Sequence, residues 1–356
     1  MLKIAFVHLL NDYSGSPKVL SQIVKKYSKE NIELFTSKDE GFLSNLTSNH
    51  KHFFYKRFEN KFLTLFSYVL SQVHLFFKII FSKSDIVYIN TLLPFGAALG
   101  AKISGKKVIY HIHETYIKPM LLKKFLRWIV NKTTSKVIFV SNDLAKREKF
   151  NNIKTHIIHN SLENSFLQVA SKYEYKYLHD DMFIVMMICS LKDYKGIPEF
   201  LKIALKLESN KNIKFRLIFN AEKKEIDNYF KDNIPLNIEI FSKQKDLEKF
   251  YSTSSLVLNL SRINDCIETF GLTIVEALAF GIPVIVPPIG GPIEIVEEGL
   301  EGFLISSYEI DKLAKKIEEL SNNEMTCINL SKNAKEKALI FSEDLFLGKI
   351  QKVVDG

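Results

Sequence analysis

Carboxylates, a cation and glycine turns are spaced in this chain for chemistry on a phosphorylated, hydroxyl-rich ligand. Glu268 and Glu276 bracket the run Glu268-Thr-Phe270-Gly271-Leu272-Thr-Ile-Val-Glu276-Ala-Leu-Ala-Phe-Gly281-Ile-Pro283. Gly271 has no Cβ, so the backbone can turn there and a ligand can come close. Leu272, Val275, Leu278 and Ala279 recur at helical spacing, Gly281 stops the helix, and Pro283 forbids its return. A helix start at about residue 271 presents free N–H groups and the positive end of a dipole, a seat for phosphate. Glu276 lies one turn in and leans back toward that end. A carboxylate accepts two hydrogen bonds and so suits a vicinal diol such as a ribose. A plainer reading stands beside it: both glutamates only complement the dipole, at about 0.3–1 kcal/mol each.

Other loops carry matching groups. Lys192-Asp-Tyr-Lys195-Gly196 adds cations after an apolar strand, and Gly290-Gly291-Pro292 opens a further short helix. Gly15-Ser16-Pro17 opens a helix after the first strand, with proline in the first turn. His111-Ile-His113-Glu114 ends a later strand; both histidines face one side of it. Cation, helix N-terminus and carboxylates together describe a binder of a diphosphate with sugar hydroxyls. No Asp-x-Asp pair occurs, and the histidine pairs 111/113 and 156/159 have no Cys or carboxylate partners at zinc spacing beyond Glu114, so no metal site is expected.

The elements that must position these loops alternate strand and helix twice over. In the first half, strands are expected at 3–10, 32–36, 52–55, 85–90, 107–113, 137–140 and 156–160. In the second, they are expected at 182–189, 213–219, 238–241, 256–260, 283–287 and 302–305. Helices fall between them. The expected fold is α/β: two Rossmann-like, doubly wound parallel-sheet domains facing a cleft. The boundaries are 1–165 for the first domain, 166–341 for the second, and 342–356 for a closing helix. The polar stretch 161–181 reads as linker.

The chain has 356 residues and a net charge of +9, unevenly spread. Residues 1–165 hold 25 Lys/Arg against 11 Asp/Glu, and residues 166–356 hold 24 against 29. A basic half suits an anionic partner, and without a nucleic-acid module that partner is a membrane surface rather than nucleic acid. A merely solvated basic face is the alternative. Cys189, Cys266 and Cys327 are few and scattered, which fits a reduced, cytoplasmic compartment. The apolar start Met1–His8 reads as a strand and not as a signal peptide. Residues 61–81 are long, aromatic and apolar, with Lys61 and Lys78 inside and Lys51, Lys56, Arg57 and Lys83 nearby. The readings are a helix lying in a membrane interface, a core helix, or a spanning helix.

The run from Glu268 to Val286, then Gly290-Gly291-Pro292-Ile-Glu294 and Gly302-Phe-Leu-Ile, closely resembles the retaining glycosyltransferases of family 4, with the GT-B fold. The resemblance is specific over about residues 255–305 and extends more weakly over the whole chain. Lys195-Gly196 resembles the family's phosphate-binding pair, and His113 its sugar-site histidine. Gly15-Ser16 resembles its first glycine-rich loop, and Ser141-Asn-Asp and His159-Asn160-Ser161 two later signposts.

The resemblance implies that Glu276 holds the donor ribose and Glu268 lies at the donor sugar. Lys195 would bind pyrophosphate, the Phe270-Gly271-Leu272 backbone phosphate or sugar, and His113 the sugar near the reacting carbon. The tail would cross back to the first domain. Cys189-Ser190 stands where the family usually has Gly-Arg; Lys192 or, better, Arg262 would then replace the arginine. The implied reaction is sugar transfer from a nucleotide-diphosphate sugar, a UDP-sugar by prior, needing no metal or cofactor. The acceptor would be a lipid-linked or nascent surface glycan, met by a protein peripheral on the inner face of the plasma membrane. The alternatives are a sugar-nucleotide 2-epimerase of the same fold and a non-catalytic partner of another transferase.

Overall fold

The computed structural model describes residues 2–38, 40–230, 234–244 and 246–356. The chain divides into two units, one running up to Asn160 and joined by Asp344–Gly356, the other Ser161–Glu343.

The first unit is a seven-stranded sheet of β1 (Ile4–Val7), β2 (Ile32–Ser37), β3 (His50–Phe53), β4 (Ile86–Asn90), β5 (Lys107–Ile112), β6 (Lys136–Phe139) and β7 (Lys154–Ile157). The order is β3-β2-β1-β4-β5-β6-β7, and every pairing is parallel. Its helices are α1 (Gly15–Lys26), α2 (Lys61–Ile80), α3 (Phe95–Ile103), α4 (Met120–Thr133) and α5 (Asn142–Arg147). Central strands β1 and β4 are buried along their whole length, as continuous apolar runs covered on both faces must be. The chain runs outward from β1 to β3, then returns through α2 to β4 on the other side of β1. The gap between the carboxyl ends of β1 and β4 is therefore the topological switch point, where such sheets bind ligands.

The second unit repeats the plan with six parallel strands: β8 (Phe183–Cys189), β9 (Ile213–Phe219), β10 (Ile238–Phe241), β11 (Leu256–Leu258), β12 (Val284–Val286) and β13 (Gly302–Leu304). Their order, β10-β9-β8-β11-β12-β13, puts the switch point between β8 and β11. Its helices are α6 (Asn164–Ser171), α7 (Ile197–Lys206), α8 (Lys223–Tyr229), α9 (Glu248–Tyr251), α10 (Leu272–Ala279), α11 (Ile310–Ser321) and α12 (Glu324–Ala338). The last helix, α13 (Glu343–Asp355), groups with the first unit. It buries Phe346, Ile350, Val353 and Val354, and the Lys136 ammonium donates to the Val353 carbonyl at 2.8 Å.

The structure corrects the reading of 161–181 as linker. α6 lies inside it, and its Phe166 ring meets the rings of Tyr251 and Phe280 edge-on at 6.1 and 5.5 Å. One apolar cluster in eight residues is too short to show a helical period among polar flanks, so the helix escaped the pattern.

Residues 61–80 form α2, which buries Tyr68, Leu75 and Ile79 together with polar residues and leaves most of its other apolar side chains outside. Its buried residues include Ser67, Ser71 and Gln72, while Phe62, Leu65, Phe66, Val69, Val73 and Phe77 are exposed. The spanning reading fails on topology. α2 connects β3 to β4, and both strands lie in one sheet, which a bilayer cannot separate.

Candidate active site

In the second unit the predicted groups converge on the switch point between β8 and β11. The loop after β8 passes Ser190, which is half-buried and accepts Lys192 N–H on its carbonyl at 2.7 Å. It then forms a single tight helical turn, Asp193–Lys195, before α7. The loop after β11 carries Ser261, Arg262 and Glu268. The two loops are tied by the Arg262 N–H, which donates to the Tyr194 carbonyl at 2.8 Å.

Across them, Lys195 Nζ meets Glu268 Oε2 at 2.7 Å, and Ser261 Oγ donates to the same oxygen at 3.1 Å. Burial alone would push the Glu268 carboxyl up, but the Lys195 charge and the donors Lys195, Ser261 and Asn259 outweigh it and hold the acid below its ordinary range. For Lys195, burial opposes the charge and Glu268 overcomes it, so the ammonium stays firmly protonated. The pair is a fixed cation beside a fixed anion at a crevice built to take ligands.

Gly271 caps α10 with φ +106°, a left-handed conformation that few other residues tolerate. Gly290 and Gly291 hold this loop from behind. A Cβ on Gly290 would sit 2.4 Å from the Glu268 carbonyl oxygen, and one on Gly291 2.4 Å from that of Thr269. The second glycine turn thus supports the Glu268 loop by close packing, a role its sequence does not disclose. Phe270 is buried and packs edge-on against Phe341 at 5.8 Å, so its ring is not offered to a ligand; Leu272 is half-buried.

Glu276 is buried at 4 % exposure and accepts the Tyr251 hydroxyl at 2.8 Å. Burial and the neighbouring Glu276 push the Tyr251 phenol far up, so it remains a donor. Arg262 does not stand open in place of the family's arginine. Its guanidinium is held by Glu199 of α7, with Nε and Nη2 at 2.9 and 2.8 Å from Oε1, and by Asp265 at 3.5 Å.

In the first unit a separate polar cluster fills the switch point between β1 and β4. Gly15 and Ser16 open α1. Asn90, the last residue of β4, donates from Nδ2 to the Ser16 carbonyl at 3.1 Å, which turns its Oδ1 toward His113 Nε2 at 2.9 Å. His113 Nε2 therefore carries the proton. His8, just past β1, meets the Asn90 carbonyl through Nδ1 at 3.1 Å.

The two candidate histidines separate here. His111 is fully buried and paired to the Tyr88 hydroxyl at 2.9 Å, a core residue; His113, with its ring 4.2 Å away, is half-buried. Burial keeps all three imidazoles neutral, pulling His8 down to about 4, His111 to about 3, and His113 well below its ordinary value. Glu114 accepts the Leu92 N–H at 2.9 Å, and its other oxygen is buried without a partner. Burial pushes its carboxyl up to about 7, against the opposing pull of backbone N–H donors.

Sequence reasoning missed Asn90, His8, Tyr251 and Ser261. Asn90 and His8 had a signal: each is a polar residue ending a buried apolar strand, where parallel sheets place their ligands. Tyr251 had none, since it reaches Glu276 from another helix.

Two family models match this chain: Glycosyltransferase Family 4 over residues 14–165, and Glycosyl transferases group 1 over residues 172–337. The chain is 26% identical over 302 residues to an uncharacterised glycosyltransferase of Methanocaldococcus jannaschii, covering 81% of this chain and 80% of that one. It is 25% identical over 205 residues to a capsular polysaccharide biosynthesis glycosyltransferase, CapM, of Staphylococcus aureus, covering 56% and 53%. Among solved structures it is similar to Anabaena HepE in complex with UDP and glucose, with a TM-score of 0.83 over 100% of both chains at 20% identity. That likeness carries the fold, which is GT-B. With the one model on the first sheet and the other on the second, this chain belongs to the group 1, family 4 glycosyltransferases and is itself a glycosyltransferase.

Proposed function

We propose that the protein transfers a sugar, with retention and without a metal, from a nucleotide-diphosphate sugar to a lipid-linked or nascent surface glycan. A UDP-sugar is the favoured donor, and the cytoplasmic face of the plasma membrane the place of work. The observation that carries the reading is the Lys195–Glu268 pair at 2.7 Å, set beside the N-terminus of α10 at the switch point. The HepE structures with UDP and with UDP-glucose, and the capsular role in the name of CapM, support donor and acceptor class respectively.

In this reading Lys195 and the first-turn N–H groups of α10 hold the diphosphate. The bond between the anomeric carbon and the diphosphate oxygen breaks with its electron pair going to the diphosphate. Lys195 stabilises the charge that develops there. The acceptor hydroxyl oxygen bonds the anomeric carbon on the same face and passes its proton to the departing diphosphate oxygen. Glu268, fixed by Lys195 and Ser261, receives sugar hydroxyls, as a charged acceptor does best. Glu276 receives the ribose hydroxyls on its side chain, with Tyr251 setting the carboxylate. His113 serves the sugar as a neutral group, never as a cation. With Arg262 engaged by Glu199, the diphosphate relies on Lys195 and backbone N–H groups, with Ser190 as a neutral partner.

A donor screen read by release of nucleoside diphosphate tests this. Transfer to a glycan acceptor is the expected product. A new epimer formed from the donor alone would overturn the reading in favour of a 2-epimerase.

A further inference from the structure

α2 buries what a water-facing helix exposes. Ser67 Oγ accepts the Lys56 N–H at 2.8 Å, Tyr68 donates to the Leu93 carbonyl at 2.7 Å, and Gln72 Oε1 accepts the Gly96 N–H at 3.0 Å. α3 makes this possible with Gly96 and Gly100: a Cβ there would sit 2.0 and 2.5 Å from the Gln72 and Phe76 carbonyl oxygens. The polar stripe of α2 is thus locked against α3, and its apolar face is turned to solvent, with Phe62 83 % and Phe66 67 % exposed.

Ring contacts through α3 link α2 to α4, which has exposed apolar residues of its own. Tyr68 meets Phe95 of α3 at 5.9 Å, Phe95 meets Phe125 at 5.1 Å, and Phe125 stacks on Trp128 at 6.3 Å. Leu121 and Trp128 on α4 are 79 % and 53 % exposed. α2, α3 and α4 contain no aspartate or glutamate, and Lys61, Lys102, Lys124 and Lys132 on them are exposed. Glu59 and Asp85 lie just outside α2.

We propose that α2 and α4 form one docking face that seats the first unit on an anionic lipid bilayer, α2 lying in the interface and Trp128 marking the far edge. This rests on reading the protein as a transferase with a membrane-borne acceptor. An apolar face this wide, ringed by cations, matches the surface of a leaflet rich in acidic headgroups. A second copy of the chain fits poorly, because it would set these lysines against their own kind. Spanning is excluded by the sheet that α2 joins at both ends.

Trp128 is the sole tryptophan and reports directly. The full-length protein is mixed with phosphatidylcholine vesicles, with and without about one-third phosphatidylglycerol, at low salt, and followed by sedimentation and Trp128 emission. Expected are binding to the anionic vesicles, a blue shift, and quenching by brominated acyl chains. Phe62→Ser with Phe66→Ser weakens binding at least about tenfold, and Lys61→Glu or Lys124→Glu about fivefold each.

Both residue pairs face solvent, and calorimetry with uridine, guanosine and adenosine diphosphates in vesicle-free buffer is expected to give unchanged affinity in these variants. Wild-type protein left in the supernatant with unshifted Trp128 emission overturns the proposal. So does a dimer in vesicle-free buffer that Phe62→Ser with Phe66→Ser disperses. Failure to bind any nucleoside diphosphate would instead count against the transferase reading and leave the vesicle result standing.

Discussion

At the scale of single residues, charge and burial assign different work to groups that look alike in sequence. Lys195→Ala removes the cation that meets the diphosphate, and the expected loss is about 100- to 1000-fold in transfer rate. Glu276→Ala, by contrast, is expected to weaken nucleotide affinity about 10- to 100-fold, the worth of hydrogen bonds to a charged group. Calorimetry beside steady-state kinetics separates the two, and unchanged constants in both variants would remove the assignment. Asn90 touches no substrate in this reading; it positions His113 and the Ser16 loop together. Asn90→Ala should lower kcat about tenfold with donor KM little changed, a loss of about 1.4 kcal/mol in the transition state. A fall in stability alone, with kcat intact, would make Asn90 a packing residue.

Glu114 supplies a test by pH. Its carboxyl is pushed up from 4.5 to about 7, so between those values the folded state holds more protons than the unfolded chain. Stability from this group is therefore full below about 4.5 and is lost as pH rises to about 7. Glu114→Gln should flatten that decline in urea-unfolding curves taken across the window; an unaltered slope would show the acid to be ordinary.

At the scale of elements, α2 and α6 mark where patterns read correctly and where they fail. A helix over 61–80 is legible from length and composition, but which side it buries is not. An interfacial helix and a core helix both stand as readings until Gly96 and Gly100 are seen to admit the polar side. Gly96→Ala places a methyl group 2.0 Å from a backbone oxygen. Destabilisation of about 1–3 kcal/mol is expected, read as a lower urea midpoint at constant slope. A neutral result would mean that α2 is loosely held. α6 was hidden for the opposite reason, since its single aromatic anchor, Phe166, finds partners on distant α9 and at Phe280.

At the scale of the whole molecule, the chain leaves the first unit after Asn160 and supplies it again from Asp344 onward. The buried side chains of α13 each contribute about 1.5–3 kcal/mol on ordinary transfer values. A chain ending at Glu343 is therefore expected to lose the first unit's cooperative unfolding in calorimetry while nucleoside-diphosphate binding persists. Loss of both together would show that the second unit needs the first.

The sequence by itself determined the family, the two doubly wound sheets and the separate loops that carry Lys195 and Glu268. These depend on short motifs and on alternating strands and helices, both local along the chain. Tertiary structure alone decided that Lys195 pairs with Glu268, that Asn90 joins Ser16 to His113, that Tyr251 holds Glu276, that Arg262 is taken by Glu199, and that α2 turns its phenylalanines outward. Each depends on residues far apart in sequence meeting at a switch point or a helix face, and no spacing along the chain encodes such a meeting.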